Sequence, residues 1–195
     1  MTWWEALLLG LIQGLTEFIP VSSSGHLVLG QYLLGLDKEA ADVTFEVFVH
    51  FGTVLSILTV YWDDVAELVE EAWAGLRAPR AVPTRFAEND TFRLGVFILV
   101  TLVPTGVAYV LFREPLEQAF GSPRFTSAML VGTGVLLLLT RIGPRPDGDL
   151  SGVKAFVVGV AQSCALVPGI SRSGATICVA LYQNVAPERA ANFSF

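Results

Sequence analysis

The segment Pro20-Val21-Ser22-Ser23-Ser24-Gly25-His26 interrupts an apolar run: EALLLGLIQGLTEFI precedes it (5–19) and LVLGQYLLGL follows it (27–36). Three hydroxyls, a glycine and an imidazole in this position admit two readings. They form a loop between two ordinary apolar elements, or they form a polar site held inside a nonpolar medium.

Composition favours the second. Of 195 residues, 53% are hydrophobic and only 15% charged, and mean hydropathy is +0.59. A soluble domain carries about a quarter charged residues. The charges are also clumped: Leu94 to Phe112 contains none, and neither does Phe125 to Thr140. Runs of that length and polarity are those of an integral membrane protein. The net charge of −6 and the lack of a basic stripe exclude a nucleic-acid partner. No Lys or Arg precedes Lys38, so the positive n-region of a cleavable signal is missing. Cys164 and Cys178 lack CxxC spacing and are expected as buried free thiols.

Periodicity and breakers divide the chain. Trp3 to Ile19 is one apolar arm, stopped by Pro20, and Ser24 to Leu36 resumes it. Together the arms suit two half-spans meeting at a break better than two full spans. Val43 to Trp62 is expected as a full span and Asp63 to Leu76 as an acidic amphipathic helix with a solvated face. RAPRAVPTRFAEND (77–90) is expected as a polar loop, Leu94 to Phe112 and Phe125 to Thr140 as further spans, and RIGPRPDGDLSG (141–152) as a loop. Val153 to Val167 then runs into a second break at Pro168-Gly169.

That second break explains the first. Ser171-Arg172-Ser173-Gly174 repeats Ser22-Ser23-Ser24-Gly25 at an offset of 149, and each follows an apolar helix containing a glutamine, Gln13 or Gln162. Internal repeats in membrane proteins commonly bracket a site at the midplane. The expected fold is therefore an all-α integral membrane protein: one polytopic domain over 1–195, with repeat 1 at about 1–148 and a partial repeat 2 at about 149–195. The loop 77–93 carries Arg77, Arg80, Arg85 and Arg93, and the loop 141–154 carries Arg141, Arg145 and Lys154. The opposite face carries Lys38, Arg113 and Arg124. The positive-inside rule makes the first face cytoplasmic. The repeats are then of inverted topology, one re-entrant hairpin entering from outside and the other from inside.

A cavity between the two tips would hold Glu17, Ser22, Ser23, Ser24, His26, Ser171, Arg172, Ser173 and Thr176. An arginine at membrane depth is costly and by default functional, and its planar fork suits two phosphate oxygens. Ser-Gly breaks at half-helix N-termini expose N–H groups to an anion, and Thr176 offers a further hydroxyl. Gln13 and Glu17 share a helix face and supply hard oxygen ligands for Mg²⁺ or Ca²⁺ beside phosphate and water. His26 can move a proton near neutral pH. Phosphate-ester or anhydride chemistry needs this set.

At these residues the chain resembles a known family. LIQGLTEFIPVSSSGHL and PGISRSGATI are similar to the two signature motifs of the undecaprenyl-pyrophosphate phosphatases, the bacitracin-resistance family, and the resemblance covers essentially the whole chain. It implies removal of the terminal phosphate from a C55 polyprenyl diphosphate, recycling the lipid carrier of cell-envelope glycan synthesis. It further implies a divalent cation and a multi-pass cell-membrane location with the site open to the outer face. Carried over by position, Glu17 and His26 are catalytic with Arg172, Ser23 is the candidate nucleophile, and Arg172 and Thr176 bind phosphate. Ser22, Ser24, Gly25, Ser171, Ser173 and Gly174 complete the substrate site, and Glu17 with Gln13 the metal site. Serine, His26 and water remain open as nucleophile. Expected partners are the lipid diphosphate and membrane lipids, with a homodimer allowed for. Relatives continue for several helices beyond ERAANFSF, so the second repeat is expected to be truncated.

His50, four residues after Glu46, is either a helix-packing residue or a contact of the site. A transporter or flippase of the same lipid is the alternative function; it would share the repeat and the Arg-lined cavity without needing His26 or a serine nucleophile.

Overall fold

A computed structural model describes residues 1–36, 43–142 and 146–195. Among them the chain is helical: α1 (Trp3–Glu17), α2 (Ser23–Leu33), α3 (Val43–Val60), α4 (Trp62–Arg77), α5 (Val82–Glu88), α6 (Asp90–Phe120), α7 (Pro123–Leu139), α8 (Gly152–Cys164), α9 (Arg172–Tyr182) and α10 (Pro187–Ser194). No strand forms among the described residues; Gly148 and Val185 make an isolated bridge. Lys38 and Arg145, counted in the charge bias, lie outside the described residues.

Local chemistry sets the helix ends. Thr2 and Glu5 form a capping box at the start of α1, and Pro20 prevents continuation after Glu17. Ser122 caps α7, accepting from the Phe125 N–H, with Pro123 in the first turn where its missing N–H costs nothing. Ser151 does the same for the Lys154 N–H at α8.

Three expectations need correction. The polar loop at 77–90 holds a 3-10 turn at Pro79–Ala81 and α5; Pro79 and Pro83 each sit in a first turn, where proline starts a helix rather than breaking one. The span expected to end at Phe112 continues as helix to Phe120. Pro115 has no N–H for the Leu111 carbonyl, so the helix bends at Phe112 (φ −117°, ψ 18°) instead of ending. Cys178 is buried, but Cys164 is exposed.

Asp90–Phe120 is long and apolar enough to cross a membrane, and only 11% of its apolar window is buried, unlike the core helix of a soluble protein. Thr44–Val60 and Trp62–Arg77 add a second candidate if the pair, bent by 90°, counts as one. Val43–Val60 and Pro123–Leu139, at 18 and 17 residues, are at the short end for a span.

The core lies among α6, α8, α9 and α10, where Phe97, Ala155, Val158, Ala180, Val185, Ala190 and Phe193 pack together. Gly159 permits the close crossing of α8 on α6: a Cβ there would lie 2.7 Å from Thr101 Cα. Gln162 Nε2 donates to Thr105 Oγ1 at 3.0 Å across the same seam. This block holds the second break in place, while α2 packs on α7 and α1.

Candidate active site

The two breaks have the same local design. Ser22 precedes α2 and its hydroxyl accepts from the Gly25 N–H at 3.3 Å; Ser171 precedes α9 and accepts from the Gly174 N–H at 3.1 Å. Ser22 and Ser24 hydroxyls lie 3.3 Å apart, as do those of Ser171 and Ser173. One conformational difference stands out. Ser22 has φ +67°, ψ 92°, whereas Ser171 is extended; a non-glycine residue held there stores on the order of 1 kcal/mol of strain.

The breaks also touch each other through their glycines. A Cβ on Gly25 would lie 2.9 Å from Gly169 Cα, and one on Gly174 would lie 3.2 Å from the Pro20 carbonyl oxygen. The repeat offset carries Gly25 to Gly174 and Pro20 to Gly169, so each contact is the repeat image of the other. Gly169 itself has φ +96°, and Thr133 Oγ1 donates to its carbonyl at 2.8 Å.

Within the matched tetrapeptides, Ser23 and Arg172 are the position where the repeats differ. Both side chains converge on Glu17. The Ser23 hydroxyl donates to Glu17 Oε2 in a short hydrogen bond, and Arg172 Nη2 donates to Glu17 Oε1 at 3.2 Å. Gln13 Nε2 donates to Glu17 Oε2 at 2.8 Å. The Glu17 side chain is 13% exposed and that of Arg172 56%, so the guanidinium keeps donors free on the cavity side.

A cavity of about 290 Å³ opens over this cluster. Its walls include Glu17, the serines at 22, 23 and 24, Ser171, Arg172 and Ser173. Two helix N-termini and a guanidinium therefore face one space, an arrangement that binds an anion.

Other predicted residues stand apart from the cavity wall. His26 Nδ1 lies 2.8 Å from the Ser22 carbonyl oxygen. A carbonyl only accepts, so Nδ1 is the donor and Nε2 carries the lone pair of the neutral ring. The Ser23 hydroxyl is turned to Glu17 rather than to this imidazole. Thr176 is buried; its hydroxyl lies 2.9 Å from the Arg172 carbonyl and 2.7 Å from Ser194 Oγ, facing its own helix and α10. Gly25 and Gly174 serve the contact between the breaks.

Glu46 and His50 do line the cavity. His50 Nδ1 bonds the Glu46 carbonyl of its own helix at 2.7 Å, so its side chain contacts the site and its ring bond is made within α3. Their i, i+4 spacing puts them on one face of α3, but only the packing of α3 against α1 brings that face to the site.

For a cation, the donor set fits in part. Among the described residues no three His, Cys, Asp or Glu side chains cluster as a metal site. Gln13 Oε1, however, is buried without a hydrogen-bond partner beside the Glu17 carboxylate. One carboxylate and one amide oxygen, with phosphate and water filling the remaining positions, match the habits of Mg²⁺.

Comparison with known proteins shows what the chain is similar to. Residues 6–195 match the family model described as Bacitracin resistance protein BacA. The undecaprenyl-diphosphatase of Halothermothrix orenii is 40% identical over 194 residues, covering 98% of this chain and 68% of the relative. That of Parabacteroides distasonis is 39% identical over 197 residues, covering 100% and 70%. Undecaprenyl-diphosphatase 3 of Bacillus anthracis is 41% identical over 191 residues, covering 97% and 68%.

Proposed function

The chain belongs to the bacitracin resistance protein BacA family, and from that premise we propose that it hydrolyses undecaprenyl diphosphate to the monophosphate and inorganic phosphate. The observation that carries the reading is the convergence of Ser23 and Arg172, one from each break, on the single carboxylate of Glu17.

The exposed donors of Arg172 and the N–H groups at the starts of α2 and α9 bind the diphosphate oxygens. Ser23 Oγ attacks the terminal phosphorus, and its proton passes along the existing hydrogen bond to Glu17 Oε2. The bond from that phosphorus to the bridging oxygen breaks, and the lipid monophosphate leaves with the bond's electron pair. A phosphate is a good leaving group, so the general base matters more than an acid. Water then attacks the phosphoserine, releasing phosphate and restoring Ser23 and Glu17. Arg172 stabilises the phosphoryl charge in both steps. His26, set back behind Ser22 with Nε2 available, would carry a proton for the water step by way of an intervening water rather than by direct contact. Glu17 and Gln13 would hold a divalent cation, which when bound supplies positive charge to the phosphoryl oxygens.

The chain sits in the cell membrane in this reading, its exposed apolar helices facing lipid and its cavity opening to the outer face. The exchanged contacts Gly25–Gly169 and Gly174–Pro20 support two hairpins related by a pseudo-two-fold axis, as an inverted repeat requires.

Release of inorganic phosphate from undecaprenyl diphosphate by the purified chain in detergent tests this. Release abolished in Ser23→Ala supports it. No release by the intact chain, together with movement of polyprenyl phosphate across vesicles, would replace the hydrolase with a transporter.

A further inference from the structure

Helix α4 leaves α3 at an angle of 90° across Tyr61. If α3 runs through the bilayer, as the proposed function has it, α4 runs parallel to the bilayer surface. Its inward face is fixed by close packing: Gly75 leaves room for the Phe92 ring, which would lie 2.6 Å from a Cβ at that position, and Leu68 meets Gly95. Two of its carboxylates are engaged on that flank. Glu71 accepts from Arg85 at 2.6 Å and Glu67 from Thr91 at 2.8 Å.

The opposite face is apolar and uncovered. Trp62, Val65, Ala66, Val69, Trp73 and Leu76 follow helical spacing. Trp62 is 64% exposed, Val69 63%, Trp73 55% and Leu76 73%. Trp62 and Trp73 wall a shallow recess with Val65, Ala66 and Val69, and the one charged group on its wall, Glu70, is exposed and set to one side of the stripe. The stripe is continuous with the exposed apolar surface of α3 through Val60 and Tyr61. At the far end the Arg77 guanidinium lies over the Trp73 ring, 4.8 Å from its centroid. An indole with a cation beside it suits the lipid headgroup boundary, where one end of the pair is apolar and the other wet.

We propose that α4 is an interfacial helix whose Trp62–Leu76 stripe is occupied by phospholipid at the boundary between acyl chains and headgroups. It lies in the membrane surface and fixes the depth at which α3 carries Glu46 and His50 to the cavity. Its occupant is lipid rather than a second copy of the chain, because the stripe continues the lipid-facing surface of α3 and ends in an aromatic-cation pair.

Four tryptophans are present, so Trp3→Phe/Trp4→Phe leaves Trp62 and Trp73 as reporters. This variant is placed in phosphatidylcholine vesicles brominated at shallow or at deep acyl positions. A stripe buried roughly 5–10 Å into the interface predicts strong quenching by shallow bromines, weaker quenching by deep ones, and little by aqueous iodide. Val69→Asp in the same background should shift quenching from bromine towards iodide. Strong iodide quenching with none from bromine in the parent variant would overturn the proposal. So would protection from both, with Val69→Cys cross-linking between copies, which would make the stripe a dimer seam. The complementary Trp62→Phe/Trp73→Phe variant separates this from the membrane reading. Bromine quenching of Trp3 and Trp4 alone leaves the membrane reading standing and sinks the interfacial helix; quenching of neither pair sinks both.

Discussion

Arg172 Nη2 and Glu17 Oε1 meet at 3.2 Å although 155 residues separate them in the chain. The pair closes the two breaks over one cavity, yet the arginine is more than half exposed. An ion pair so solvated contributes little to stability. Its value lies in aiming the fork.

Arg172→Lys should therefore separate the two roles. An ammonium can keep the contact with Glu17 but cannot hold two phosphoryl oxygens in a plane. Phosphate release should fall by about 100-fold, equivalent to roughly 2.7 kcal/mol of transition-state stabilisation, with the melting temperature in detergent nearly unchanged. A parallel loss of melting temperature would make Arg172 a structural brace.

Ser23 and Glu17 share a hydrogen bond, so their substitutions should not add. Ser23→Ala and Glu17→Gln are each expected to lower kcat by about 10³-fold or more, and the double variant to be little worse than either, as for groups acting as a unit. Multiplying effects in the kcat series would mean that Glu17 acts on something other than Ser23.

Much of this site is legible in the amino-acid sequence. Pro20 and Pro168 mark the breaks, and a 149-residue offset pairs the tetrapeptides that follow, Ser22–Gly25 with Ser171–Gly174. The partner of Ser23 is not legible there. Spacing of i, i+3 points to His26, but the hydroxyl sits at the first residue of α2 and faces back along the chain to Glu17. Glu46 and His50 are ambiguous in sequence because a helix face has no address until its neighbour is known; α1 supplies it. Local rules also misjudge Pro79, Pro83 and Pro115. A proline breaks a helix or starts one depending on its turn.

The exchanged glycine contacts make a steric prediction. Gly25→Ala would bring a methyl within 2.9 Å of backbone at Gly169, and Gly174→Ala within 3.2 Å of the Pro20 carbonyl oxygen. Each should destabilise by about 1–3 kcal/mol and depress activity by spreading the breaks. Gly14 and Gly132 have nothing within 4 Å of an added Cβ, so alanine there should be neutral or stabilise by up to about 1 kcal/mol. Thermal melts of the four variants check the contrast; equal effects would remove the close approach as its cause.

Divalent cation binding should depend on charge more than on donor count. Glu17→Gln is expected to weaken Mn²⁺ binding, followed by calorimetry on the detergent-solubilised chain, far more than Gln13→Ala does, since only a carboxylate brings charge to a hard cation. Equal weakening would favour an amide-led site, and no heat of binding to the parent chain would remove the cation.

Orientation is the remaining test, and it follows from charge. The 77–93 and 141–154 segments carry seven basic residues against three, Lys38, Arg113 and Arg124, on the other face, so the positive-inside rule predicts that the first two segments are cytoplasmic. The segment after α2 then lies outside and the segment before α8 inside, so the two hairpins enter from opposite faces. Leu36 follows α2, and Asp147 is exposed ahead of α8. With Cys164→Ser and Cys178→Ala removing the two native thiols, Leu36→Cys should react with an impermeant maleimide on intact cells. Asp147→Cys should react only after the membrane is opened. Labelling of both from one side would make the hairpins parallel, and the Gly25–Gly169 and Gly174–Pro20 contacts would then be local packing rather than the axis of an inverted repeat.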